Sequence, residues 1–273
     1  MPEYGRRVAV LTTETSVVAK ATRSSRSIGV PDHVGARHRA CFIAAICVAV
    51  LNAPGLALAE PRGGSVHATP GAVTANAVRL ANFGSEKPSA DARHVADWIA
   101  DSRDNAEGEF LILDKKHARL YVFDRNARLK GASAVLLGSA IGDDSVPGIG
   151  LKPIASVKPA ERTTPAGRFV AERGHNTLGE DVVWIDYDAA VSMHRVRTNN
   201  ARERRLERLA TATADDNRIS YGCINVPVSF YNVHVRPVFV KRRAIVYVLP
   251  EVRTVSQVFG SYDVAAKRGL TPR

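Results

Sequence analysis

The chain has 273 residues, 45% of them hydrophobic and 24% charged, an ordinary globular balance. That length excludes more than one large domain or two small ones. The net charge of +11 points to anionic surroundings, but it bears on solubility and association rather than on fold.

Residues 37–60 read RHRACFIAAICVAVLNAPGLALAE. Basic residues (Arg37, His38, Arg39) precede an apolar run from Ala40 to Leu51, then a break at Asn52, Pro54 and Gly55, then Ala57-Leu58-Ala59. This is the order of a secretory signal peptide with cleavage after Ala59. Crossing a bilayer takes ~20 apolar residues, and this run is shorter and broken by proline. The stretch before Arg37 is too long for a signal's basic region and has no periodicity. Residues 1–59 are therefore expected to be a signal peptide with an over-extended N-terminus, translation starting near Val30 or Val34. They hold seven Lys/Arg and three Asp/Glu, so the remainder carries +7. Cys41 and Cys47 leave with them, and Cys223 becomes the only thiol of an exported chain. Such a cysteine invites a reactive role or intermolecular pairing, or else it is a small buried hydrophobe.

Residues 60–107 are expected to be a loose Gly/Ala/Pro/Ser-rich lead-in followed by a short helix at 88–101, with Val95, Trp98 and Ile99 on its packing face. From Phe110 the period changes to that of strands. FLILD (110–114) and ARLYVFD (118–124) flank a polar KKH turn, RNARLKG (125–131) reads as another turn, and SAVLLGSAIG (133–142) as a strand. A Gly/Pro-rich loop follows. Apolar runs at 168–174, 182–187, 189–194 and 244–250 are further strands. The fold class is mainly β, a sandwich or partly closed barrel with a few short helices, over 108–250, with 251–273 as a tail. The stretch NNARERRLERLATA (199–212) reads as an exposed helical insertion. Glycines at 138–150 lack a following Lys-Ser/Thr, so no phosphate loop is expected, and no HExxH or paired His/Cys spacing points to a metal.

The stretch with chemistry in it is RISYGCINVP, residues 218–227. A thiol attacks a carbonyl as thiolate, so it needs a base and donors for the oxyanion. Gly222 allows the tight turn that presents a nucleophile. Pro227 suits the first turn of a helix starting just after Cys223, whose dipole would favour the thiolate, with the amides of Gly222 and Cys223 facing the oxyanion. Of the histidines outside the leader, His67 lies in the lead-in, His94 on the packing helix, His117 in a hairpin turn and His234 on a helix running away. His194, ending the run AAVSMH, is the expected base, and His175 is the runner-up.

SYGCIN resembles the cysteine signature of the L,D-transpeptidase catalytic domain family (YkuD-type), Ser/Thr-His-Gly-Cys-apolar-Asn/Arg. TTPAGRF (163–169) resembles that family's Thr-Pro-x-Gly-x-Phe element, SMHRV its apolar-His strand end, and LILDKKHARLYVFD its opening hairpin. The resemblance spans about 108–250. It implies a β-rich fold, Cys223 as nucleophile, His194 as base oriented by a backbone carbonyl, the Gly222 and Cys223 amides in the oxyanion hole, Ser220 at the hydroxyl position, and Asn225 and Arg218 supporting the turn or binding substrate. It implies no cofactor and peptidoglycan stem peptides as partners; with the signal peptide read above, the expectation is an exported enzyme of the periplasm or cell envelope with no membrane span after cleavage. A thioester would pass to an amine, or to water in a carboxypeptidase or amidase of the same fold. Nucleic acid is not an expected partner, the basic residues being dispersed.

Two departures stand out. Tyr221 replaces the signature's histidine at the oxyanion turn; its phenol can still donate a hydrogen bond there but, with a pKa near ~10, cannot hold a proton as imidazolium does. That leaves a non-catalytic wall-binding domain as an alternative. His194 and Cys223 are 29 residues apart, longer than is usual in the family. The 199–212 insertion accounts for this, either as a lid offering Arg202, Arg204, Arg205 and Arg208 to stem carboxylates or as a plain solvated helix.

Overall fold

A computed structural model describes residues 78–269. The expected signal peptide, Cys41, Cys47, His67 and the first part of the lead-in lie outside the described residues. Helix α1 (Ala90–Ser102) opens with Ser89 accepting the Ala92 N–H, and it closes where Arg103 turns left-handed. Strands β1 (Phe110–Asp114) and β2 (Arg119–Phe123) form the expected hairpin. β3 (Leu129–Ala134) begins inside the stretch read as a turn, because Leu129 pairs with Phe123; only a two-residue β4 (Leu137–Gly138) follows where one longer strand was expected. Then come β5 (Gly167–His175), β6 (Asp181–Asp186), β7 (Val191–Arg195), a short α2 (Arg205–Ala210), β8 (Arg218–Ser220) and β9 (Ile224–Val226). After Pro227, α3 (Val228–Phe230) runs through a π-helical turn (Tyr231–Val235) into α4 (Arg236–Val238). β10 (Ala244–Val248), α5 (Val255–Phe259) and α6 (Val264–Arg268) complete the chain.

Eight strands form one sheet in the order β3-β2-β1-β10-β5-β6-β7-β9, with β4 and β8 paired separately. β1–β10 and β7–β9 are parallel and the other neighbours antiparallel. Just past the β3 edge, Leu136 exchanges two backbone hydrogen bonds of 2.9 Å with Asn225 on the β9 edge, so the sheet curls into a nearly closed barrel. The fold is thus mainly β, with few and short helices.

Side-chain alternation along the strands separates two cores. Leu111, Leu113, Leu120, Val122, Val246 and Val248 point inward, where Tyr231, Val235 and Phe239 plug the barrel. Phe110, Ile112, Tyr121, Phe123, Ile245 and Tyr247 point outward, where α1, α5 and α6 cover them. The segment 78–87, expected to be loose, joins this second core through Ala81 and Phe83, whose ring meets Tyr121 and Phe123 edge-on. Residues 251–269, expected as a tail, carry Val255 and Val264 into the same core.

Candidate active site

The site is built on the face of β7 and β9 that looks away from the barrel core. Val191 and Met193 of β7, and Ile224 and Val226 of β9, are core residues. Alternation therefore sends Ser192 and His194, and Cys223 and Asn225, to the other face. The parallel register aligns His194 with Asn225, two residues past Cys223. A cleft of about 80 Å³ opens over this face, lined by His194, Ser220, Tyr221, Cys223 and Asn225. Its roof is the Gly/Pro-rich loop, which contributes Ile149, Lys152, Ile154 and Val157.

His194 is buried and its Nδ1 lies 2.8 Å from the Arg195 carbonyl oxygen. A carbonyl only accepts, so Nδ1 carries the proton and Nε2 is the basic nitrogen of the neutral ring. Burial pushes His194 down to about 4 from 6.5, with the Arg195 carbonyl opposing and the charges of Arg197 and Arg205 adding to the drop. At neutral pH the ring is an uncharged acceptor.

Cys223 is buried at its rim of the cleft, and its Sγ lies 3.7 Å from both the Ala190 carbonyl oxygen and the Ser192 hydroxyl. The turn before it is held internally. Ser220 Oγ donates to the Cys223 carbonyl at 2.6 Å, and the Gly222 amide donates to Ser220 Oγ at 3.1 Å. The Gly222 amide, expected at the oxyanion, is thus committed within the turn. Gly222 itself is required: its φ is +127°, and a Cβ would stand 2.8 Å from the Thr163 carbonyl oxygen.

The remaining expected residues divide. Asn225 lines the cleft, donates to the Cys223 carbonyl at 3.3 Å and accepts from Arg205 Nη1 at 2.7 Å. Tyr221 lines it too, with the Arg162 guanidinium stacked on its ring 4.0 Å from the centroid. Arg218 is drawn elsewhere: it pairs with Glu251 and donates to the Lys115 carbonyl at 2.9 Å, in a mostly buried cluster of ions. No helix follows Cys223 directly, because Ile224–Val226 pairs with β7 as a strand and Pro227 caps a helix beginning only at Val228. The helix-dipole contribution expected at the thiol is therefore absent from this geometry.

The 199–212 stretch is largely exposed and partly helical, as expected, with one exception that bears on the site. It is a 3-10 turn (Ala201–Glu203) and α2, and Arg205 is buried against the site, held by Glu203 and Asn225. Arg204 pairs with Glu207, and Arg208 donates to the Glu203 and Asp216 carbonyls; only Arg205 of the four reaches the cleft. Lys152 and Arg197, not foreseen, line it as well, partnered by Glu161 and Glu180. The other described histidines lie apart from this cleft: His94 bonds Ser261, His117 bonds Asp114, the runner-up His175 is exposed at the end of β5, and His234 lies tilted against the Phe230 ring.

No family model matches the sequence, and no curated protein matches it. Among solved structures, the catalytic domain of an E. faecium L,D-transpeptidase is 17% identical, with 52% of this chain and 98% of that one covered and a TM-score of 0.30. The helical cell shape determining protein Pgp2 from Campylobacter jejuni is 14% identical over 57% of this chain and 55% of that one, at a TM-score of 0.36. An L,D-transpeptidase (Yku) from Stackebrandtia nassauensis is 16% identical over 60% and 68%, at 0.31. Against the first of the solved structures, an Ldtfm–avibactam carbamoyl enzyme, the chain spans about half of that protein's length, 49%. No described helix is long and apolar enough to cross a membrane.

Proposed function

We propose that the protein is a cysteine-dependent L,D-transpeptidase that acts on peptidoglycan stem peptides in the cell envelope. The observation that supports this most directly is that His194 and Cys223, distant in sequence, face one cleft from paired strands, with the imidazole oriented by the Arg195 carbonyl. In the first half-reaction Nε2 of His194 takes the thiol proton and Cys223 Sγ attacks the carbonyl of a diamino acid residue. The tetrahedral intermediate collapses to a thioester, and the terminal D-amino acid leaves as its amine, with the proton held by His194. In the second half-reaction an amine of another stem gives up a proton to His194, attacks the thioester and regenerates the thiol. Lys152, Arg197 and Arg205 line the cleft together with the apolar Ile149, Ile154 and Val157, each cation held by a glutamate that the carboxylates of a stem peptide would share or displace.

The test is incubation of the purified protein with a disaccharide-tetrapeptide, followed by mass spectrometry, beside the Cys223→Ala variant. A crosslinked dimer is expected from the native protein and none from the variant. A tripeptide without dimer would assign a carboxypeptidase, and equal turnover by the variant would remove Cys223 from the chemistry.

A further inference from the structure

His194 is not alone on its face of β7. Ser192 lies two residues earlier on the same face, and the β7–β9 register carried one step back sets it opposite Cys223. Its side chain is fully buried, and its hydroxyl donates to Cys223 Sγ at 3.7 Å. A buried hydroxyl keeps a partner, because leaving one unmet costs ~1–3 kcal/mol. A second neighbour of the sulfur, the Ala190 carbonyl, accepts from S–H at 3.7 Å but repels a thiolate. His194, buried and neutral, takes up a proton but offers the resting sulfur no positive charge. The helix dipole that would have served is displaced to Val228. Ser192 is placed to donate to the sulfur itself.

We propose that Ser192 is the hydrogen-bond donor that stabilises the Cys223 thiolate and sets how readily it forms. The inference deepens the transpeptidase reading, on which its catalytic meaning rests, whereas the thiol titration stands without it. Deprotonation moves the S–H proton away, to Nε2 of His194 or to water, and the Ser192 O–H then points to an anion, a stronger acceptor. The other titratable or charged groups around the cleft are Tyr221 from the turn, Lys152 from the roof, Arg197 from the exit of β7 and Arg205 from α2. They stay constant when Ser192 alone is changed.

The test is the rate of iodoacetamide alkylation of the full chain against pH, read on the Cys223 peptide by mass spectrometry because the sequence also holds Cys41 and Cys47. In Ser192→Ala the midpoint is expected to rise by about one pH unit. Ser192→Thr, which keeps the hydroxyl, is expected to stay near the native midpoint and guards against a packing effect. An Ala midpoint equal to the native one overturns the proposal, as does a Thr midpoint raised as far as that of Ala. A raised midpoint in a protein that neither crosslinks nor trims stem peptides keeps Ser192 in this role and removes the transpeptidase reading. An unchanged midpoint with normal turnover does the reverse.

Discussion

The hydroxyl of Thr164 donates to the carbonyl oxygen of Gly222 at 2.8 Å, joining two segments 58 residues apart in the chain. The Thr164 hydroxyl oxygen in turn accepts the Gly138 amide at 3.0 Å. Thr163 supplies the backbone against which Gly222 is packed. The TTPAGRF element is thus the bed on which the cysteine turn lies, and its distance from the chemistry is bridged by one threonine.

Gly222→Ala should be the most damaging single change in the turn. It sets a side chain at φ +127° and 2.8 Å from a backbone oxygen, neither of which can yield cheaply. Loss of ~3 kcal/mol or more in urea unfolding is expected. Thr164→Val, nearly equal in volume, strips partners from the Gly138 amide and the Gly222 carbonyl and should cost ~1–3 kcal/mol. Unfolding midpoints of both variants against the native protein check the order.

Much of this was legible because it is local. Apolar runs of strand length at 110–114, 119–123 and 244–248 identify strands whatever they pair with, and the sequence motifs mark Cys223, His194 and Asn225 by residue type. What escaped depended on distant partners. Ile224–Val226 is too short to show a period, and it is a strand only because β7 lies beside it. Arg205 sits in a run that reads as solvated, yet it is buried because Asn225 and Glu203 satisfy its guanidinium. Lys115 looks like a turn residue in KKH, and its acceptors come from positions as far away as Glu251. The Ser192 contact follows from register, which no single strand announces.

His194 should make the protein acid-labile in a defined window. Its pKa is about 4 when folded and 6.5 ordinarily, so between these values the unfolded chain binds more protons and stability falls as pH is lowered. The contribution is complete above pH 6.5 and lost as the pH drops toward 4, at most ~3 kcal/mol. His194→Gln removes the titration, so the gap between the two proteins' urea midpoints should shift between pH 7 and pH 4 by about that amount. A constant gap would show the ring charging freely in the fold.

Asn225→Leu should weaken the site's second layer. The change removes one acceptor from the buried Arg205 guanidinium, leaving Glu203 to hold it, and one donor from the Cys223 carbonyl. A loss of ~1–3 kcal/mol is expected. Arg205→Leu in the same background should cost less than it does alone, since the two side chains share one interaction. A double-mutant cycle from thermal unfolding reads this directly, and strict additivity would mean that the Arg205–Asn225 contact contributes nothing.

Lys115→Met should be costly although it puts an apolar chain in a buried place. Nζ lies fully buried, 2.9 Å from the Thr164 carbonyl oxygen, 2.5 Å from that of Gly142, 3.3 Å from Asp143 and 3.5 Å from Glu251. Burial pushes its pKa down to about 8 against the pull of Asp143, so the ion pair is held at some expense to the charge. Removing the amine is worse, because two carbonyls and two carboxylates lose a shared donor at once. A destabilisation of ~3–5 kcal/mol is expected. Because Lys115 grips the same Thr164 that supports Gly222, the loss should be felt at the cysteine turn as well. Hydrogen exchange of the Ser220–Cys223 amides should speed up in Lys115→Met and remain unchanged in a surface control such as Lys116→Met, whose Nζ meets only the half-exposed Asp91. Protection retained in both would confine Lys115 to the ion cluster and detach it from the turn.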